Sequence, residues 1–138
     1  MTNTVVARDA DTIDGVDAQN SLEVTYRGEI IYTSRGRWLH PLLDLERYLE
    51  AGELPRAELT LRDKVIGRAA AGLVIRLGLG RVHAVLLSRL GADLLTQHGV
   101  PTTYDTLVDQ IACRTEDLTR EMDDPEDIHR LVLSLVSS

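Results

Sequence analysis

The chain has 138 residues, 43 % apolar, with aromatics at only 4 % and no Phe; that length suits one domain around one core. A formal net charge of −7 argues against nonspecific nucleic-acid binding, which needs a basic face, and no apolar run is long and uncharged enough to span a bilayer. The single cysteine, Cys113, excludes an intrachain disulfide and suits a reducing compartment; with no basic-then-apolar leader, the expected location is the cytoplasm.

Residues 1–20 carry Asp9, Asp11, Asp14 and Asp17 against Arg8, with no aromatic and no sustained periodicity. They read as an acidic, disordered tail, with Thr4 to Ala7 as an alternative short edge strand. Residues 21–138 form the expected domain. Leu22, Val24 and Tyr26 alternate with polar residues, the period of a half-buried strand. Gly28 permits a tight turn, and Ile30 to Tyr32 return as a second strand. Pro41 suits a first helical turn, followed by Leu42, Leu45 and Leu49 at helical spacing. Gly52 and Pro55 end that helix.

Ala57, Leu59 and Leu61 predict a third strand. Val65 to Gly80 is nearly all apolar and predicts a helix buried on most sides, thin where Gly67, Ala69, Ala70, Ala71 and Gly72 fall. Val82 to Leu87 reads as a central strand. Ser88 is placed to cap the next helix and Gly99 to stop it. Thr102 to Val108 is a fifth strand. Asp124-Pro125-Glu126-Asp127 opens a last helix with its stripe at Ile128, Leu131, Val132, Leu135 and Val136. Strands alternating with helices predict an α/β fold with a mostly parallel sheet covered on both faces.

The block Asp63-Lys64-Val65-Ile66-Gly67-Arg68-Ala69-Ala70-Ala71 resembles the family named domain of unknown function 1893. Thr33-Ser34, Pro41-Leu42-Leu43-Asp44, Leu87-Ser88, Leu95, His98-Gly99, Tyr104, Val108, Ile111, Arg114 and Asp123-Asp124-Pro125 extend the resemblance from about residue 21 to the C-terminus. It implies a cytidine deaminase-like three-layer α/β/α sandwich with a mixed, mostly parallel five-stranded sheet. The family usually has Gly where this chain has Trp38, and Asn where it has Cys113. Beyond Arg114 the family typically carries a Gly-rich loop ending Cys-Pro-Met-Glu; here Thr115-Glu116-Asp117-Leu118 leads almost directly to Met122-Asp123, which reads as a deletion of that loop.

Zinc deaminases use His-x-Glu and Pro-Cys-x-x-Cys at helix starts. The corresponding positions hold Asp63-Lys64-Val65 and Leu87 to Leu90, which offer no zinc-binding set. His40, His83, His98 and His129 are scattered. No metal and no cofactor are therefore expected, and zinc-dependent deamination is disfavoured.

The expected site lies at Asp63 to Gly67, which follow a strand and open a helix, where unpaired N–H groups and the helix dipole favour an anion. Lys64 is the only Lys among fifteen basic residues and adds a point charge whose pKa falls on burial, as Arg's does not. Ser34, Arg35 and Arg37 are expected on the same rim, with Arg68, Ser88 and Tyr104 as further candidates. The expected ligand is a nucleotide or phosphorylated small molecule. The bland alternative is a solvated Lys64, with Gly67 and the alanines present only for packing. Ser88 reads better as a cap than a nucleophile, His98 as a helix C-terminal residue, Cys113 as a small buried apolar group, and Trp38 as a plug between hairpin and first helix. Three functions follow: an anion-binding module, a homodimer built on the second or the last helix, or a metal-independent enzyme using Lys64 and Asp63.

Overall fold

The computed structural model describes residues 12–13, 16–17 and 20–137. Most of the expected tail, and the alternative strand at Thr4 to Ala7, lie outside the described residues. Where that segment is described, β1 (Thr12–Ile13) pairs antiparallel with β2 (Val16–Asp17).

The main sheet follows the alternation in the sequence closely. Strands β3 (Leu22–Tyr26) and β4 (Glu29–Ser34) form the expected hairpin. Its turn, Arg27-Gly28, holds φ 52° and 84°, the left-handed pair that matches strand twist and favours Gly. Helix α1 runs His40–Glu50 with Pro41 in its first turn. Strand β5 spans Leu59–Ile66 and helix α2 Arg68–Leu77. Strand β6 (Arg81–Ser88), helix α3 (Arg89–Gln97) and strand β7 (Thr102–Val108) complete the crossovers. Helix α4 (Arg114–Thr119) was not foreseen, while α5 (Pro125–Val136) was, with Asp124 accepting the Glu126 N–H at 2.9 Å.

One boundary changes the reading of the expected site. Val65 and Ile66 belong to β5, because both pair with β6 at Leu86 and Leu87. The apolar run at 65–77 therefore begins as strand and becomes helix only after Gly67. Asp63 and Lys64 sit at the end of a strand and do not open the helix.

The strand order is β4-β3-β5-β6-β7. The ladders β5–β6 and β6–β7 are parallel, and β3 is antiparallel to both neighbours. Register stacks Leu22, Val24, Leu61 and Val82 on one face, all fully buried. Helices α1, α3, α4 and α5 each contact α2, so α2 is the helix around which the others pack. The opposite face carries a polar row, Thr33, Glu23, Arg62, His83 and Thr103, aligned by register.

Helix α2 is buried nearly all round, as its composition predicts. Its burial is internal to the chain, so it is not available as the expected homodimer surface. Gly72 admits α5: a Cβ there would lie 2.8 Å from two carbons of Ile128. Arg76 of α2 ties in a third helix, binding Glu46 of α1 at 2.9 Å as well as Glu126 of α5 at 3.0 Å.

Intrinsic helix propensity favours Gly72→Ala by about 1 kcal/mol. Overpacking against a branched side chain costs about 1–3 kcal/mol, and here it outweighs propensity. The variant should unfold at lower urea than the parent; a raised midpoint would show that α5 does not press on α2 at this point.

Candidate functional site

A cleft of about 380 Å³ opens where β5 ends, within the size range of small-molecule sites, roughly 300–1,000 Å³. The turn between β4 and α1 supplies one wall, with Arg37, Trp38 and Leu39. Asp63, Lys64 and Val65 of β5 line it, and Ala69 and Ala70 bring the first turn of α2 to it. The segment after β7 closes the far side with Ile111, Cys113, Thr115 and Glu116. Its position explains its walls: the C-terminal end of a strand in a parallel array is where successive loops diverge and leave a crevice.

The start of α2 is already occupied. Glu116 is 1 % exposed. Its Oε1 accepts the Arg68 N–H at 2.7 Å and its Oε2 accepts the Ile111 N–H at 3.1 Å. A carboxylate there satisfies an orphan helix donor and the positive end of the helix dipole. Gly67 is what lets it in: a Cβ would sit 2.7 Å from Oε1. The expected anion seat at this helix start is therefore corrected, since the chain's own carboxylate fills it.

Arg68 is equally committed to structure. Its guanidinium is buried and donates to the carbonyls of Thr119 and Met122, both at 3.1 Å, and of Leu90 at 2.7 Å. A fourth bond reaches Asp123 at 2.7 Å. It locks the start of α2 to α3 and to the end of α4, so it is not free to bind a ligand.

Asp63 is the electrostatic feature of the cleft. Burial pushes its carboxyl up to about 7, against smaller lowering by the N–H groups of Val65 and Lys64. The Val65 bond is long, 3.4 Å. No ion pair or hydrogen bond joins the side chains of Asp63 and Lys64, although both residues line the cleft.

The model of the family described as domain of unknown function 1893 matches residues 15–135. This chain belongs to the DUF1893 family. A solved structure of a DUF1893 family protein from Thermotoga maritima is similar, with a TM-score of 0.74 and 30 % sequence identity, covering 83 % of this chain and 80 % of that one. No curated protein matches the chain.

On this DUF1893 chain the expected residues divide. Arg37, Asp63, Lys64 and Gly67 share the cleft. Ser34 and Arg35 do not line it; Ser34 Oγ accepts the Gly36 N–H at 3.0 Å, and Arg35 reaches Asn20 at 3.3 Å. Ser88 is fully buried and caps α3, accepting the Gly91 N–H at 3.0 Å. Tyr104 is exposed on the edge strand β7, away from the cleft. His98 ends α3 as expected. Two readings are corrected. Cys113 is exposed, because it precedes α4 on the rim. Trp38 is 49 % exposed and lines the cleft, so it is no plug. Its φ of 61° lies in the left-handed region, where bulky residues are uncommon and Gly is at ease.

Sequence reading missed Glu116, Ile111 and Thr115. The acidic pair Glu116-Asp117 is the signal of a helical first turn, but nothing local points it at a helix 48 residues earlier. Among the described residues, no group of three or more His, Cys, Asp and Glu is arranged to hold a metal ion.

A carboxyl whose folded pKa exceeds the ordinary 3.8 holds its proton more tightly when folded. Its contribution to stability is therefore greatest at low pH and is lost as pH rises from about 4 to about 7. Asp63→Asn removes that loss, so in urea unfolding the variant should gain more over wild type at pH 8 than at pH 5. A difference independent of pH would contradict the burial of this carboxyl.

Proposed function

We propose that this protein binds a small organic anion, a nucleotide or another phosphorylated molecule, in the cleft at the end of β5. One observation carries this reading: two residues with cationic side chains, Arg37 and Lys64, are among those lining the same apolar cleft on a chain of net charge −7. The apolar walls take the body of the ligand, and the cations take its charge. With the α2 start closed by Glu116, the anionic group sits at Arg37 and Lys64 and not at the helix dipole. The cytidine deaminase-like label is part of this proposal. Its support is the strand order, an antiparallel hairpin flanking three parallel strands.

A second reading is favoured by one observation. A carboxyl titrating near neutrality, as Asp63 does, suits general acid–base work. Asp63 would then serve without Lys64, since no contact pairs them.

Isothermal titration with AMP, ribose 5-phosphate and inorganic phosphate tests the proposal. Each of Arg37→Ala and Lys64→Ala removes one charge-assisted bond, a loss of about 1.5–3 kcal/mol or roughly tenfold or more in affinity. Binding unchanged in the double variant, or absent for every probe, overturns the reading. Turnover lost in Asp63→Asn with binding retained would select the enzyme.

A further inference from the structure

The polar groups lining the cleft are mostly spent. Both carboxylate oxygens of Glu116 accept backbone N–H groups. Ser21 Oγ donates to the Ser34 carbonyl at 3.1 Å, and Thr115 Oγ1 lies 3.4 Å from Cys113 Sγ. Asp63 differs. Its carboxylate meets backbone donors alone, the Val65 N–H at 3.4 Å and the adjoining Lys64 N–H, although it lies on the cleft surface. A carboxylate accepts through two oxygens and donates nothing when ionised. What it lacks is a side-chain donor.

Trp38 supplies the second observation. The backbone holds a bulky side chain at φ 61°, and the indole meets the His40 ring edge-on at 5.8 Å while half its surface stays open. Strained positions of this kind concentrate at ligand clamps. An indole at the mouth of an apolar cleft offers a planar surface to a planar ring.

Resting on the anion-site reading, we infer that the ligand is a planar nitrogen heterocycle. It donates an N–H bond to Asp63, lays its ring against Trp38 and holds its anionic group at Arg37 and Lys64. A neutral alcohol or a bare sugar phosphate satisfies only the last of these. The groups that share the cleft with Asp63 are consistent with this. Arg37 comes from the β4–α1 turn, Lys64 is its neighbour on β5, and Cys113 and Glu116 come from the segment after β7. On the adjoining strands its register partners are Leu22 and Ala84, which carry no charge. Arg68 of α2 is turned to carbonyls elsewhere. No cation is paired with the carboxylate, so a ligand N–H meets an acceptor that is open to it.

The ionised form is the one that accepts. Burial raises the carboxyl to about 7, so donor-dependent affinity is full above that pH and falls about tenfold for each unit below it.

The test compares AMP with purine riboside 5′-monophosphate, which differ only by the exocyclic amine, and with ribose 5-phosphate. At pH 8 AMP should bind about tenfold tighter than the amine-less nucleotide. The gap should close at pH 6 and in Asp63→Ala. The amine-less nucleotide titrates its phosphate in the same way, so it cancels that contribution. Trp38→Gly suits the backbone and should keep the fold; it should weaken both nucleotides while leaving ribose 5-phosphate unchanged. Equal affinity for the two nucleotides at pH 8, or nucleotide affinity indifferent to Trp38→Gly, overturns this inference. If Arg37→Ala and Lys64→Ala still weaken binding in that case, the anion-site reading survives alone. If no probe binds, both fall.

Discussion

The carboxylate of Glu116 is the contact on which this molecule's functional end depends. It bridges the first amide of α2 and the amide of Ile111, so one buried charge fixes the helix start and the segment after β7 at once. Charge-assisted bonds to a desolvated carboxylate contribute about 1.5–3 kcal/mol each, and leaving the partners unpaired costs a comparable amount. Arg68 works from the next residue over, tying the same helix start to α3 and α4 through carbonyls. Neither group reaches outward. Together they turn what looks like an open helix N-terminus into a sealed joint, and they set the position of the cleft wall beside it.

The division of labour in the cleft follows. Helix starts attract anions in general, but this one is neutralised by its own chain. The remaining positive charge lies on Arg37 and Lys64, and the remaining acceptor is Asp63. An apolar interior, two cations and one unoffset carboxyl form a polarised pocket. Such a pocket suits a ligand that is itself divided into a flat donor-bearing body and a charged end. Trp38 fits that account better than it fits a packing role, since the backbone carries it in a conformation natural to glycine.

Much of the fold was legible because it rests on local periodicity. The alternation at Leu22, Val24 and Tyr26, the cap, proline and acidic first turn at Asp124 to Asp127 and the cap at Ser88 each encode a single element. The failures come where a continuous apolar run hides a change of period. Val65 and Ile66 look helical in composition, yet their pairing with Leu86 and Leu87 keeps them in strand. Helix α4 was invisible as six residues without an apolar stripe. The site was half legible for the same reason. Arg37, Asp63, Lys64 and Gly67 lie near element ends that periodicity marks. Glu116 acts across the fold, and no spacing along the chain announces such a contact. Arg68 is a candidate cation in the sequence, but the four acceptors that surround it come from two separate segments, α3 and residues 119–123.

A nitrogen–proton correlation spectrum recorded during titration with AMP tests the central claim most directly, because it reports each amide and each guanidinium separately. If the chain's own carboxylate seals α2, the Arg68 amide stays in place while the resonances of Arg37 and Lys64 move with ligand. If Gly67 and Arg68 amides shift as the anion enters and those of Arg37 and Lys64 do not, the helix start is the anion seat after all, and the account given for Glu116 is wrong.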